Sequence, residues 1–125
     1  VITSVIEKAV FKQTYSCFEG DTWDTFILTW RNPDRTPVDF TTATARCQFK
    51  RNRNDATAVL TLTHSSGITL GNSTENIKLL LTDVQTAQLG AGTFYFDIEI
   101  TQNGKVRTYV DAVLSLKQSI TQPTP

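Results

Sequence analysis

The sequence predicts an all-β protein: a single antiparallel β-sandwich, Ig-like or jelly-roll-like, of seven to eight strands with one short helical turn near residues 83–88. Three observations carry this expectation. In residues 93–101, Phe94, Phe96, Ile98 and Ile100 alternate with Tyr95, Asp97 and Glu99, the period of a half-buried strand. Comparable stretches recur about every 8–12 residues with Pro, Gly, Asn and Asp between them. Helical periodicity is almost absent.

Residues 5–11 read as a loosely patterned first strand. Residues 24–30 place Phe26, Leu28 and Trp30 on one face and Thr25, Ile27 and Thr29 on the other. R-N-P-D-R-T-P then breaks the chain, with Pro33-Asp34 suited to a type I turn. Residues 44–51 point Ala45, Cys47 and Phe49 inward, and Arg46, Gln48 and Lys50 outward. A polar tip at 51–55 leads to a strand at 57–63, where Ala58, Leu60 and Leu62 share a face. Turns at 65–67 and 71–74 bracket a short strand at 68–70, and a strand at 76–82 follows. Asp83 can cap one helical turn over 84–88, which Gly90 and Gly92 end.

Residues 93–101 and 106–116 form a hairpin around Asn103 and Gly104. A two-residue loop would set Ile100 against Arg107 and Phe96 against Asp111, bringing charge to the core face. A three-residue loop over 102–104 instead pairs Ile100 with Val106, Phe96 with Val110 and Glu99 with Arg107. That register sorts apolar from polar and puts Gly104 where φ must be positive, so it is the one expected. Residues 1–117 then make one sandwich domain with an N-terminal arm over 1–8, and the polar, proline-ended residues 118–125 leave it as a tail.

With 125 residues, 39% of them hydrophobic, the chain suffices for one core. Twelve basic and twelve acidic residues balance. That balance argues against a nucleic-acid or membrane partner held by bulk charge, and offers little repulsion against self-association. Residues 1–8 lack the pattern of a signal peptide, and no apolar run approaches the ~20 residues that span a bilayer, so a soluble chain is expected. Cys17 and Cys47, both in alternating apolar runs, are expected as reduced thiols.

Chemistry-bearing patterns are sparse. His64 is the single histidine and reads as a surface residue. No G-x-S-x-G motif or phosphate-cradling glycine loop occurs. Glu19, Asp21 and Asp24 lack calcium-loop spacing, and strand alternation separates Asp21 from Asp24. Asn72-Ser73-Thr74 matches a glycosylation acceptor but reads as a turn. Trp23, Tyr95 and Tyr109 could build a sugar-stacking platform, whereas Trp30 belongs to the core. Arg46, Lys50, Arg51 and Arg53 are the one basic cluster, either a solvated edge or a contact for an acidic partner surface.

Several motifs together resemble a family of small tailed-bacteriophage structural domains. They are G-D-T-W at 20–23, L-T-W at 28–30, P-V-D-F-T-T at 37–42, G-I-T-L at 67–70, and Q-T-A-Q-L at 85–89 followed by G-T-F-Y-F-D-I-E-I at 92–100. The family comprises β-sandwich capsid cement or decoration subunits and, in related form, the N-terminal domain of baseplate upper proteins. Phe40 and Thr42 depart from its D-L-T-G turn. The resemblance implies no catalytic residues and no cofactor. It leads to the expectation of a non-enzymatic virion protein, assembled in the host bacterial cytoplasm, that binds neighbouring subunits and stabilises the particle. Its expected partners are the major capsid protein or tail and baseplate proteins, with homo-oligomers formed and neither nucleic acid nor membrane bound. Candidate partner contacts are Arg46, Lys50, Arg51, Arg53, Gln118 and Ile120, while Asn103, Gly104, Gly90 and Gly92 are turn residues. The alternatives are a tail or baseplate adaptor and, from another class, a carbohydrate-binding module engaging a host glycan.

Overall fold

A computed structural model of the chain describes residues 2–6 by their backbone and residues 10–120 in full. Two sheets build the fold. Strands β1 (Ile2–Ile6), β3 (Ile27–Arg31), β6 (Ile68–Leu70) and β7 (Ile77–Leu79) form one, in the order β1-β3-β7-β6. Strands β2 (Thr14–Phe18), β4 (Thr44–Lys50), β5 (Leu60–Thr63), β8 (Gly92–Gln102) and β9 (Lys105–Lys117) form the other, in the order β2-β9-β8-β4-β5. The short helix α1 (Asp83–Leu89) connects β7 to β8. The expected all-β sandwich is therefore observed.

The inner faces follow from alternation. Phe94, Phe96, Ile98 and Ile100 of β8 are buried beside Ala45, Cys47 and Phe49 of β4 and Val110, Ala112, Leu114 and Leu116 of β9. Leu28 and Trp30 of β3, with Ile77 and Leu79 of β7, face them from the other sheet. Aromatic edges bridge the layers: Phe26 lies 6.0 Å from Phe96, and Trp30 lies 4.9 Å from Tyr109, centroid to centroid.

Thr29 is buried as well, on the face opposite Leu28 and Trp30, and its hydroxyl accepts the Glu75 N–H. Beside it the β7 ladder stops, because Glu75 turns away at a φ of 59°. The fully buried Asn76 side chain continues the ladder. Its Oδ1 accepts the Trp30 N–H at 2.7 Å, and its Nδ2 donates to the carbonyls of Trp30 and Val38, both at 2.9 Å.

The hairpin departs from the expected register. The loop has two residues, Asn103 and Gly104, both at positive φ as a type I′ turn requires, and Gln102 pairs with Lys105. Ile100 does face Arg107, the pairing that would carry charge into the core if it persisted. It does not persist, because a β-bulge between Glu99 and Ile98 shifts the register by one residue. Beyond it Ile98 meets Val110 and Phe96 meets Ala112, and apolar residues line the core again. Tyr109 is the extra residue, and its ring turns inward against Trp30 and Phe40. Glu99 accordingly pairs with Thr108 rather than with Arg107.

Other boundaries also move. Of the strand expected over 5–11, Val5 and Ile6 belong to β1 beside β3, residues 7–9 lie outside the described residues, and Phe11 makes an isolated bridge to Val110 of β9. The segment read as an N-terminal arm contains β1, while Val1, Glu7 and Lys8 lie outside the described residues. Strand β2 was not anticipated. Both N-terminal strands pair in parallel, β1 with β3 and β2 with β9, against an otherwise antiparallel arrangement. The α1 cap is Thr82 rather than Asp83. Thr82 accepts the Gln85 N–H and Gln85 reaches back to the Thr82 N–H, a capping box. Gly90 is the C-cap at a φ of 77°, and Gly92 opens β8 at 145°.

Candidate functional site

The richest polar constellation lies on the outer face of the five-stranded sheet. Alternation turns Arg46, Gln48 and Lys50 of β4 outward, and β8 answers with Glu99, Asp97 and Tyr95 at the facing register positions. Asp111 of β9 stands opposite Asp97. These strands, with Arg53 from the β4–β5 loop, enclose a hollow of about 100 Å³ lined by Gln48, Lys50, Arg53, Tyr95, Asp97 and Asp111.

The basic cluster is therefore not an unopposed patch. Arg46 lies 3.2 Å from Glu99. Arg53 lies 2.8 Å from Asp111, with its guanidinium 5.1 Å from the centre of the Tyr95 ring. Arg51 donates to the Leu89 carbonyl at the C-terminal end of α1 at 2.9 Å and lies over Phe94. Burial pushes the Asp97 carboxyl above its ordinary range, and Glu99 and Asp111 add to this, while Lys50 and Arg46 pull the other way. Asp111 holds Arg53 more firmly protonated than an isolated arginine. Of the other expected contacts, Gln118 is exposed and Ile120 is 97% exposed beyond the end of β9.

The sugar platform does not assemble. Trp23 and Tyr109 are buried in the core, and the half-buried Tyr95 stands beneath Arg53. His64 is exposed, and its Nδ1 accepts the Ala45 N–H at 3.4 Å. Asn72 lies in an exposed bend. Among the described residues, no group of three or more His, Cys, Asp or Glu is placed to hold a metal ion, and no helix is long and apolar enough to cross a membrane. Cys17 and Cys47 are unbridged.

Sequence reasoning singled out the arginines but not their partners. The signal was present in the outward positions Tyr95, Asp97 and Glu99, yet the missing step was strand order, which sets β8 between β4 and β9. Thr86 was also missed. Fully buried in α1, its hydroxyl accepts the Gly20 N–H at 3.0 Å and donates to the Asp21 carbonyl at 2.8 Å, tying residues 20–23 to residues 85–89.

Fold and surface together define a β-sandwich domain whose outer-face charges are largely matched to one another. No protein-family model and no curated protein matches the chain.

Proposed function

We propose that this chain is a non-enzymatic bacteriophage virion protein that binds neighbouring subunits and reinforces the particle as a capsid cement or decoration subunit. The observation that carries the reading is the Thr86 tie, in which two segments of the resemblance far apart in sequence, G-D-T-W and Q-T-A-Q-L, meet at one buried hydroxyl. Two of the resembling segments thus pack together in this fold, which is what a shared architecture would require. The P-V-D-F-T-T segment is ordered locally: Phe40 is fully buried, and Asp39 accepts both the N–H and the hydroxyl of Thr41. Matched outer-face charges and an exposed Ile120 suit a domain that works through contact surfaces.

Quantitative mass spectrometry of purified virions tests this reading. A decoration subunit is expected in copy numbers comparable to the major capsid protein. A few copies per particle would move it to the tail or baseplate, and absence from virions would overturn the proposal. Deleting residues 118–125 is expected to leave the melting temperature nearly unchanged while weakening attachment to particles.

A further inference from the structure

The outer edge of β2 is an open row of hydrogen-bonding groups. β2 is the last strand of its sheet, and its ladder to β9 is parallel. The Phe11 and Glu19 N–H groups donate to the carbonyls of Tyr109 and Lys117, and the Phe11 and Gln13 carbonyls accept from Asp111 and Val113. A parallel ladder uses alternate residues, so the odd-numbered positions face β9. Lys12, Thr14 and Ser16 therefore aim their N–H and C=O groups away from it, and no described strand pairs with them.

Little guards this edge. Residues 10–18 hold one charged residue, Lys12, and no proline, and the register with β9 is unbroken over Thr14–Phe18. At the opposite edge of the same sheet, β5 has four residues, and its Thr63 N–H is already taken by the Ser66 carbonyl. The side chains of the open edge are also ordered symmetrically about Thr14. Val10 and Phe18, 38% and 47% exposed, lie four residues to either side of it, in the outward phase of the alternation. Phe11 and Cys17 lie three residues to either side, half-buried and packed against the core.

We propose that this edge pairs with the same edge of a second copy, antiparallel across a two-fold axis at Thr14, joining the two five-stranded sheets into one. In that register Val10 meets the partner's Phe18, Phe11 meets the partner's Cys17, and Lys12 meets the partner's Ser16. Each exposed apolar side chain is covered by another, and Lys12 faces no cation. Centring the axis on Tyr15 would instead set Lys12 against Phe18 and leave Val10 uncovered. Registers that oppose even to odd positions are excluded, because the odd-numbered backbone groups already bond to β9. The formal charges sum to zero, so two copies do not repel through net charge. An isologous pairing consumes both edges and closes the assembly at a dimer. It needs only a second copy and does not rest on the virion reading.

Sedimentation equilibrium of the full chain tests the association, with the mass expected to rise from one chain to two as concentration increases. A mass that stays at one chain up to about 1 mM would overturn the proposal. Ser16→Pro removes an N–H aimed at the partner and none aimed at β9, so it is expected to abolish the dimer and keep the native circular dichroism. A folded Ser16→Pro protein that still dimerises would count against the pairing. Cysteine cross-linking keeps the test where that variant fails to fold. Directly opposed, hydrogen-bonded residues of an antiparallel pair have Cα atoms about 5.5 Å apart, within disulfide reach. In a Cys17→Ser background, Thr14→Cys is expected to give a disulfide-linked dimer on mild oxidation. Ser16→Cys is not, because the axis sets it opposite Lys12 rather than its own copy. Cross-linking through Ser16→Cys instead of Thr14→Cys, or through neither, would overturn the two-fold at Thr14.

Discussion

Replacing Asn76 with alanine should cost this protein more than almost any other polar substitution. Asn76 is fully buried and makes three hydrogen bonds to backbone groups where β7 has left the ladder. Alanine removes all three. The Trp30 N–H loses its partner in the core, at about 1–3 kcal/mol for an unsatisfied buried donor. The Trp30 carbonyl keeps the Val38 N–H, so its loss is smaller, whereas the Val38 carbonyl loses its Asn76 donor. A small cavity adds to these losses, and about 3 kcal/mol in total is a conservative sum. Unfolding entropy near the transition is about 2.1 cal/mol/K per residue, or about 0.26 kcal/mol per degree over the whole chain. The melting temperature of Asn76→Ala is therefore expected to fall by about 12 °C in scanning calorimetry. A fall of less than about 3 °C would refute the assignment of Asn76 as the continuation of the ladder. Asn76→Asp separates donor from acceptor. Its carboxylate can accept from Trp30 but faces two carbonyls, so it should destabilise at neutral pH. Burial raises such a carboxyl's pKa, so stability should recover as pH falls and the proton restores one donor.

Three further outcomes are expected. Gly104→Val should lower stability by about 1 kcal/mol or more, seen as a melting shift of several degrees. Nothing lies within 4 Å of an added Cβ there, so backbone strain at a φ of 76° is the sole cause; an unchanged melt would refute the positive-φ turn. Burial raises the Tyr15 phenol to about 12 from 10.0, so the folded state holds its proton more tightly than the unfolded chain. Stability should therefore fall as pH climbs from about 10 to about 12, and Tyr15→Phe should flatten that loss in alkaline denaturation curves; equal slopes would contradict it. Thiol reagents should modify Cys17 before the fully buried Cys47, and reductant should leave the melting temperature unchanged. Burial and then Asp21 push the Cys17 thiol up, so its labelling should also be slower than that of a free thiol near neutral pH.

Alternation alone determined the inner faces of β3, β4, β8 and β9, because a two-residue period fixes which side chains share a side whatever the strand's partners are. It also determined the positive-φ requirement at Gly104 and the end of α1 at Gly90, since both are local backbone conditions. Register was beyond it. The objection to a two-residue loop was sound for an unbroken ladder, but the bulge that exposes Tyr109 to Trp30 and Phe40 repairs the phase five residues from Gly104, and only cross-sheet packing favours it there. Partner choice was equally hidden. Parallel pairing of β1 with β3 and β2 with β9 joins residues far apart in sequence, and the edge strand β2 carries a weak pattern because Phe18 faces outward. For the same reason, the arginines of β4 and its loop read as an open basic patch until tertiary structure set Glu99, Asp97 and Asp111 beside them. Charge pairing depends on distance in space, and only the order of strands in the sheet supplies that distance.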